Sequence, residues 1–217
     1  MLSIKGSDVF QEFDDNVTID ILGPCLEYFN NIITEEEAKF IIEAAEFYND
    51  DKNHPWKYES ATVGNLAIID KFVRSNKTMF LKETDASKDT SYQAVEIIKQ
   101  AVSKAVRYYT HKHNFQIEAD EGFILLKYKT GTEYKPHYDS GIGKPFCDRT
   151  LSMVMYLNPE EYTGGETYFT NFDVSVNPKN IGLVLFPSNY AYTHQAMPVK
   201  SGTKYAVVTW LRMPFEV

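Results

Sequence analysis

The sequence predicts an α+β fold that is mainly β, with two helices first and a sandwich or jelly roll of short strands after them. Three observations predict it. Two stretches, opening near Glu35 and Ser91, place apolar residues at intervals of three and four, the period of a helix with one buried face. From Glu121 onward the period drops to two, and short apolar runs alternate with turn signals. Aromatic residues are abundant, with 15 Tyr and 14 Phe, and such side chains favour sheet. Helices segregated from strands argue against alternating strand–helix units.

Residues 1–16 are polar and read as a lead-in. Val17–Leu22 alternates weakly as a strand, Gly23-Pro24 punctuates it, and Leu26–Phe29 forms another extended piece. Thr34 followed by Glu37 is a capping box that opens the first helix. Ala38, Ile41, Ile42, Ala45 and Phe47 or Tyr48 supply its apolar stripe, and the polar run Asn49–Pro55 ends it. Between Trp56 and Leu81 only short runs occur, with Val73-Arg74-Ser75-Asn76 as the unusual item. The second helix runs from Ser91 to about His111 on Ala94, Ile97, Ile98, Ala101, Val102, Ala105 and Val106. Eight strands are expected after it: Phe123–Tyr128, Tyr134–His137, Thr150–Leu157, Glu166–Phe169, Asp173–Val176, Ile181–Phe186, His194–Met197 and Lys204–Leu211. Thr163-Gly164-Gly165 and Lys200-Ser201-Gly202 read as turns between them.

At 217 residues the chain fits one domain, 1–217. Helices and supporting strands take about 17–115, and the β core about 120–213. The net charge of −8 disfavours nucleic acid as the main partner. Cys25 and Cys147 form no disulfide framework, which points to a reducing compartment. The start lacks the apolar run of a signal peptide, and no stretch approaches the length of a membrane span. The expectation is a cytoplasmic protein with no membrane partner; nothing indicates an oligomeric state.

The chemistry concentrates in Tyr128–Asp139. In extended chain alternate side chains share a face, so His137 and Asp139 can reach one point. With His194 they make two imidazoles and one carboxylate, the facial triad that holds non-haem Fe(II) with positions left open. His54 stands in a polar turn, and His111 and His113 at a helix end, so they fit worse. Lys204 lies among Tyr205, Val207, Val208 and Trp210 on a packed strand, where a buried ammonium needs an anionic partner. A solvent-facing lysine at a strand edge is the competing reading of that position.

The ordered series Tyr128, Gly131, Tyr134, His137, Asp139, Arg149, Met155-Tyr156-Leu157-Asn158, Gly164-Gly165-Glu166-Thr167, His194 and Lys204 resembles the prolyl 4-hydroxylases, which are Fe(II)- and 2-oxoglutarate-dependent dioxygenases. Phe29–Glu37 and Val73-Arg74-Ser75 resemble the N-terminal part of the same family, so the similarity runs over about 18–213. The resemblance implies a double-stranded β-helix (jelly roll) core with the N-terminal helices packed against its major sheet. It makes His137, Asp139 and His194 the catalytic iron ligands and Lys204 the partner of the far carboxylate of 2-oxoglutarate. Tyr128, Tyr156 and Tyr134 are expected at the cosubstrate, and Arg74, Trp210 and Arg212 on the substrate side. The implied reaction hydroxylates a prolyl residue in a peptide or protein with dioxygen, releases succinate and CO2, and is supported by ascorbate. Smaller family members occur in viruses, for which the compartment would be the host cytoplasm.

Four other readings compete: the same iron chemistry on a free amino acid, small molecule or non-proline residue; a cupin-like metal enzyme; a zinc hydrolase; and a non-catalytic metal-binding barrel. The cupin and zinc readings leave Lys204 unexplained. The non-catalytic reading predicts a missing ligand, and none is missing. The polar stretches Asn76–Thr90 and Ser140–Asp148 are the expected substrate loops.

Overall fold

The computed structural model describes residues 13, 16–64, 67–82, 89–141 and 148–213. Strands β1 (Thr18–Gly23) and β2 (Leu26–Asn30) precede helix α1 (Glu35–Asp50); β3 (Glu59–Ser60) and β4 (Lys77–Phe80) lead to helix α2 (Thr90–His113). The β region follows as β5 (Ala119–Asp120), β6 (Ile124–Lys129), β7 (Tyr134–His137), β8 (Arg149–Tyr156), β9 (Tyr162–Gly164), β10 (Thr167–Phe169), β11 (Val174–Val176), β12 (Gly182–Pro187), β13 (His194–Ala196) and β14 (Val199–Arg212). The expected loops at Asn76–Thr90 and Ser140–Asp148 lie partly outside the described residues, as does Cys147.

Each helix forms for local reasons. Thr34 accepts from the Glu37 amide, the Glu37 carboxylate accepts from the Thr34 amide, and three glutamates fill the positive first turn of α1. Asp89 caps α2, and Asn114 in the left-handed region closes it. No helix among the described residues is long and apolar enough to cross a membrane.

Two sheets face each other. The larger has ten strands in the order β1-β2-β12-β8-β14-β6-β4-β3, with β5 and β9 also paired to β14; the smaller runs β11-β10-β13-β7. The pairings between the named strands are antiparallel, as expected for a jelly roll built on a double-stranded β-helix. Side chains alternate across the large sheet. Leu125, Met153, Met155, Leu183 and Val207 pack on one face against Ala38, Ile41, Ile98 and Ala105 of the helices. Leu126, Val154, Ala206 and Val208 point the other way, into the space shared with the small sheet. The helices therefore back the major sheet and leave its inner face to the site.

Three local expectations change. Of the alternatives Phe47 and Tyr48, Tyr48 is the one packed against the core, while Phe47 is 68% exposed, and Ala44 joins the buried stripe of α1. Tyr162–Gly164 forms a strand against β14, because Gly164 and Gly165 at φ of +72° and +69° turn the chain only after the pairing. Lys200-Ser201-Gly202 lies inside β14, with Ser201 and Gly202 paired to β9 before the strand continues alongside β6 and β8.

Candidate active site

His137 ends β7, and Asp139 follows two residues later. The β13–β7 register places His194 directly across from His137, so pairing between the strands brings together residues far apart in sequence. Nε2 of His137 lies 3.7 Å from Oδ1 of Asp139, and Nε2 of His194 lies 3.9 Å from Oδ2. One donor atom from each of the three falls within 4.8 Å of the others, the one such group of His, Cys, Asp and Glu among the described residues.

The tautomers suit a metal. Nδ1 of His137 is 2.8 Å from the Lys135 carbonyl, and Nδ1 of His194 is 3.0 Å from the Tyr192 carbonyl. A carbonyl only accepts, so each Nδ1 carries hydrogen and each Nε2 presents a lone pair towards the cluster. Burial, reinforced by the neighbouring His194, lowers the His137 imidazole to about 3 and keeps it neutral. Burial alone would raise the Asp139 carboxyl. The two histidines and hydrogen bonds from Ser152 and Trp210 outweigh it and hold that group below its usual range. Two imidazoles whose Nε2 atoms face an ionised carboxylate are a donor set that fits Fe(II).

The three residues stand at a cavity of about 420 Å³ between the sheets, also lined by Lys204, Tyr128, Thr167 and apolar Leu126 and Ala206. Lys204 is 2% exposed, and its Nζ donates to the Gly165 carbonyl at 2.6 Å. It lies 5.4 and 5.0 Å from the ring centroids of Tyr128 and Tyr156. Burial lowers this amine to about 7, against the opposing charge of Glu166. A ligand carboxylate in the cavity would relieve that cost. The solvent-edge reading of Lys204 is thereby removed.

Tyr128 lines the cavity, and burial raises its phenol to about 12. Tyr134 also lines it, with its ring stacked 3.6 Å from His137 and the Arg74 guanidinium 4.5 Å from the ring centroid. Arg74 and Trp210 face the same space. Trp210 carries the Arg149 guanidinium 3.7 Å above its ring, and Arg149 also binds Glu121 and the Asp139 carbonyl.

Two expected residues stand elsewhere. Tyr156 is fully buried outside the cavity lining; its hydroxyl donates at 2.7 Å to Thr167 Oγ1, which does line the cavity. Arg212 pairs with Asp148 at 3.6 Å and Glu121 at 4.0 Å, tying down the end of β14 away from the cavity. The sequence reading missed Ser152 and Ser188. Ser152 donates to Asp139 Oδ2 at 2.5 Å and lies 2.9 Å from the Ser188 hydroxyl. The available signal was one hydroxyl inside the apolar run Leu151–Tyr156.

The donor set fits non-haem iron, and residues 123–212 match the model of the 2OG-Fe(II) oxygenase superfamily. That match spans the β core that carries the three donors and Lys204, and it supports Fe(II) and 2-oxoglutarate as metal and cosubstrate. It is similar to the probable prolyl 4-hydroxylase 10 of Arabidopsis thaliana, at 26% identity over 88% of this chain and 69% of the relative. The viral collagen prolyl hydroxylase of Paramecium Bursaria Chlorella virus-1, solved with 2-oxoglutarate, superposes with a TM-score of 0.64 at 19% identity, covering 89% of this chain and 98% of that one. A Trichoplax adhaerens prolyl hydroxylase, solved with a peptide fragment of the hypoxia inducible factor oxygen degradation domain, gives 0.70 at 17% identity over 87% and 84%. The chain is thus similar in sequence to prolyl 4-hydroxylases along most of its length.

Proposed function

We propose that this protein is a prolyl 4-hydroxylase, which uses dioxygen and 2-oxoglutarate to hydroxylate a prolyl residue of a peptide or protein and releases succinate and CO2. The observation that carries the reading is the convergence of three metal donors and one buried lysine on a single cavity. His137, Asp139 and His194 hold the iron. Bound there, Fe(II) supplies the coupling of oxidative decarboxylation to oxygen insertion into an unactivated C–H bond.

The remaining work belongs to the chain. Lys204 neutralises the far carboxylate of the cosubstrate, and the Tyr128 hydroxyl faces the same space. Tyr156 acts from behind by fixing the Thr167 hydroxyl. Leu126, Val154, Ala206 and Val208 keep water from the inner cavity wall. Tyr134 buttresses the His137 ring, while Arg74 and Trp210 stand on the substrate side. The prolyl substrate is supported by the relatives' names. Ascorbate would keep the iron reduced, and the unbridged Cys25 suits the cytoplasm.

The test incubates purified protein with Fe(II), ascorbate, 2-oxoglutarate, oxygen and a library of proline-containing peptides. Gain of one oxygen atom, localised to proline by fragmentation and absent without oxygen, is the expected result. Succinate formed without any peptide product would move the substrate to another amino acid or a small molecule. Neither signal from folded, iron-loaded protein would favour the non-catalytic barrel.

A further inference from the structure

The turn between β1 and β2 carries a second cluster of reactive side chains, separate from the metal centre. Cys25 sits in that turn, partly exposed and unbridged, at φ +50°, a conformation that non-glycine residues rarely adopt. Its Sγ lies 3.8 Å from Nδ1 of His113 in the last turn of α2. Nε2 of His113 lies 2.7 Å from Oε1 of Glu27 on β2, a carboxylate only 1% exposed. The same oxygen meets Lys112 Nζ at 2.9 Å, while Oε2 is buried with no hydrogen-bond partner among the described residues.

The order is thiol, imidazole, carboxylate. A carboxylate only accepts, so the hydrogen of a neutral His113 sits on Nε2, and Nδ1 offers its lone pair to the thiol. The base is within reach of the nucleophile and is itself oriented by a third group, the arrangement that activates a cysteine. Two further contacts fix the turn: Tyr109 donates to the Cys25 carbonyl and Tyr192 to the Pro24 carbonyl, both at 2.7 Å. The Tyr109 ring also packs 4.4 Å from His113. The charged and titratable groups facing the thiol region are therefore Glu27 from β2, Tyr109, Lys112 and His113 from α2, and Tyr192 from the turn before β13. Nothing in hydroxylation calls on this constellation.

We propose that Cys25 is a nucleophilic thiol and a site of covalent modification by thiol–disulfide exchange with a small-molecule disulfide, with His113 as its base and Glu27 as the residue positioning that base. The Sγ proton passes to Nδ1, and the thiolate attacks one sulfur of the reagent. A new S–S bond forms at Cys25 as the reagent's S–S bond breaks, and the departing thiolate takes the proton back from His113. Cys25 is oxidised to the mixed disulfide, and one equivalent of reagent thiol is released.

The experiment uses the full chain with Cys147→Ser and oxidised glutathione at neutral pH, following the mixed disulfide at Cys25 by peptide mass spectrometry. Folded protein should react about tenfold faster than the same chain unfolded in urea, because folding supplies the base. His113→Gln, with circular dichroism unchanged, should bring the folded rate down to the unfolded one. A folded rate no faster than the unfolded rate would overturn the proposal, and so would a folded His113→Gln variant that reacts like its parent. If His113→Gln fails to fold, the folded-against-unfolded comparison decides alone.

Discussion

Ser152 Oγ donates a 2.5 Å hydrogen bond to Oδ2 of Asp139 from inside a strand that is otherwise apolar from Leu151 to Tyr156. Ser188, 2.9 Å away, completes a buried pair of hydroxyls behind the carboxylate. The bond occupies one carboxylate oxygen and leaves Oδ1 towards His137. Partners of this kind set ligand orientation, and their loss costs metal affinity. Ser152→Ala should weaken metal binding about 10–100-fold with the fold retained, measured by titrating the metal-free protein with Co(II) and by thermal unfolding. Unchanged affinity would show that the carboxylate is positioned without it.

Lys204 gives a pH dependence with a definite sign. Burial lowers its amine from 10.5 to about 7. Between those values the unfolded chain binds more protons than the folded one, so this group's contribution to ligand-free stability rises with pH over that window. Cosubstrate binding runs the opposite way, because the carboxylate needs the ammonium form. Affinity for 2-oxoglutarate should fall as pH rises above about 7, and binding at pH 8–9 should take up a proton. Anaerobic titration calorimetry in two buffers of different ionisation enthalpy measures that uptake. Lys204→Met should bind weakly and show no such uptake.

The capping box is separable from catalysis. Thr34→Ala removes the side-chain acceptor for the Glu37 amide and should cost about 1 kcal/mol. That corresponds to a fall of about 2–4 °C in Tm for a chain of this size, read by calorimetry. Turnover should be unchanged at temperatures where both proteins are folded.

Gly164→Ala should do more damage. At φ +72° an added Cβ would come within 2.5 Å of the Pro198 carbonyl oxygen, and strain of this type costs about 1–3 kcal/mol. The adjacent Gly165 carbonyl holds Lys204. The variant should therefore lose stability and also raise the KM for 2-oxoglutarate, whereas Thr34→Ala should leave that KM alone.

The legible part of the fold is the part set by local rules. Thr34 and Glu37 announce α1, and the apolar spacing from Ala94 to Val106 announces α2. Tyr134–His137 is a strand at the expected bounds, and the His137-Tyr138-Asp139 spacing brings two donors together. Whatever depended on distant pairing was harder to read. Nothing near His194 says that it stands opposite His137; the β13–β7 register decides it. Ser188 reaches Ser152 only through the β12–β8 neighbourhood. The family resemblance puts Tyr156 at the cosubstrate, but its hydroxyl donates to Thr167 Oγ1, a partner that only the folded sheets bring near. Lys200-Ser201-Gly202 has turn composition, yet Gly202 pairs with Tyr162 within a continuing strand.

The most direct test of the account is the fragment-ion spectrum of a proline-containing peptide after turnover in isotopically labelled dioxygen, with His194→Ala as the control. One labelled oxygen on the proline ring, formed together with succinate and absent from the variant, is the predicted result. Product oxygen without the label, or an equal yield from His194→Ala, would contradict an iron centre built on His137, Asp139 and His194.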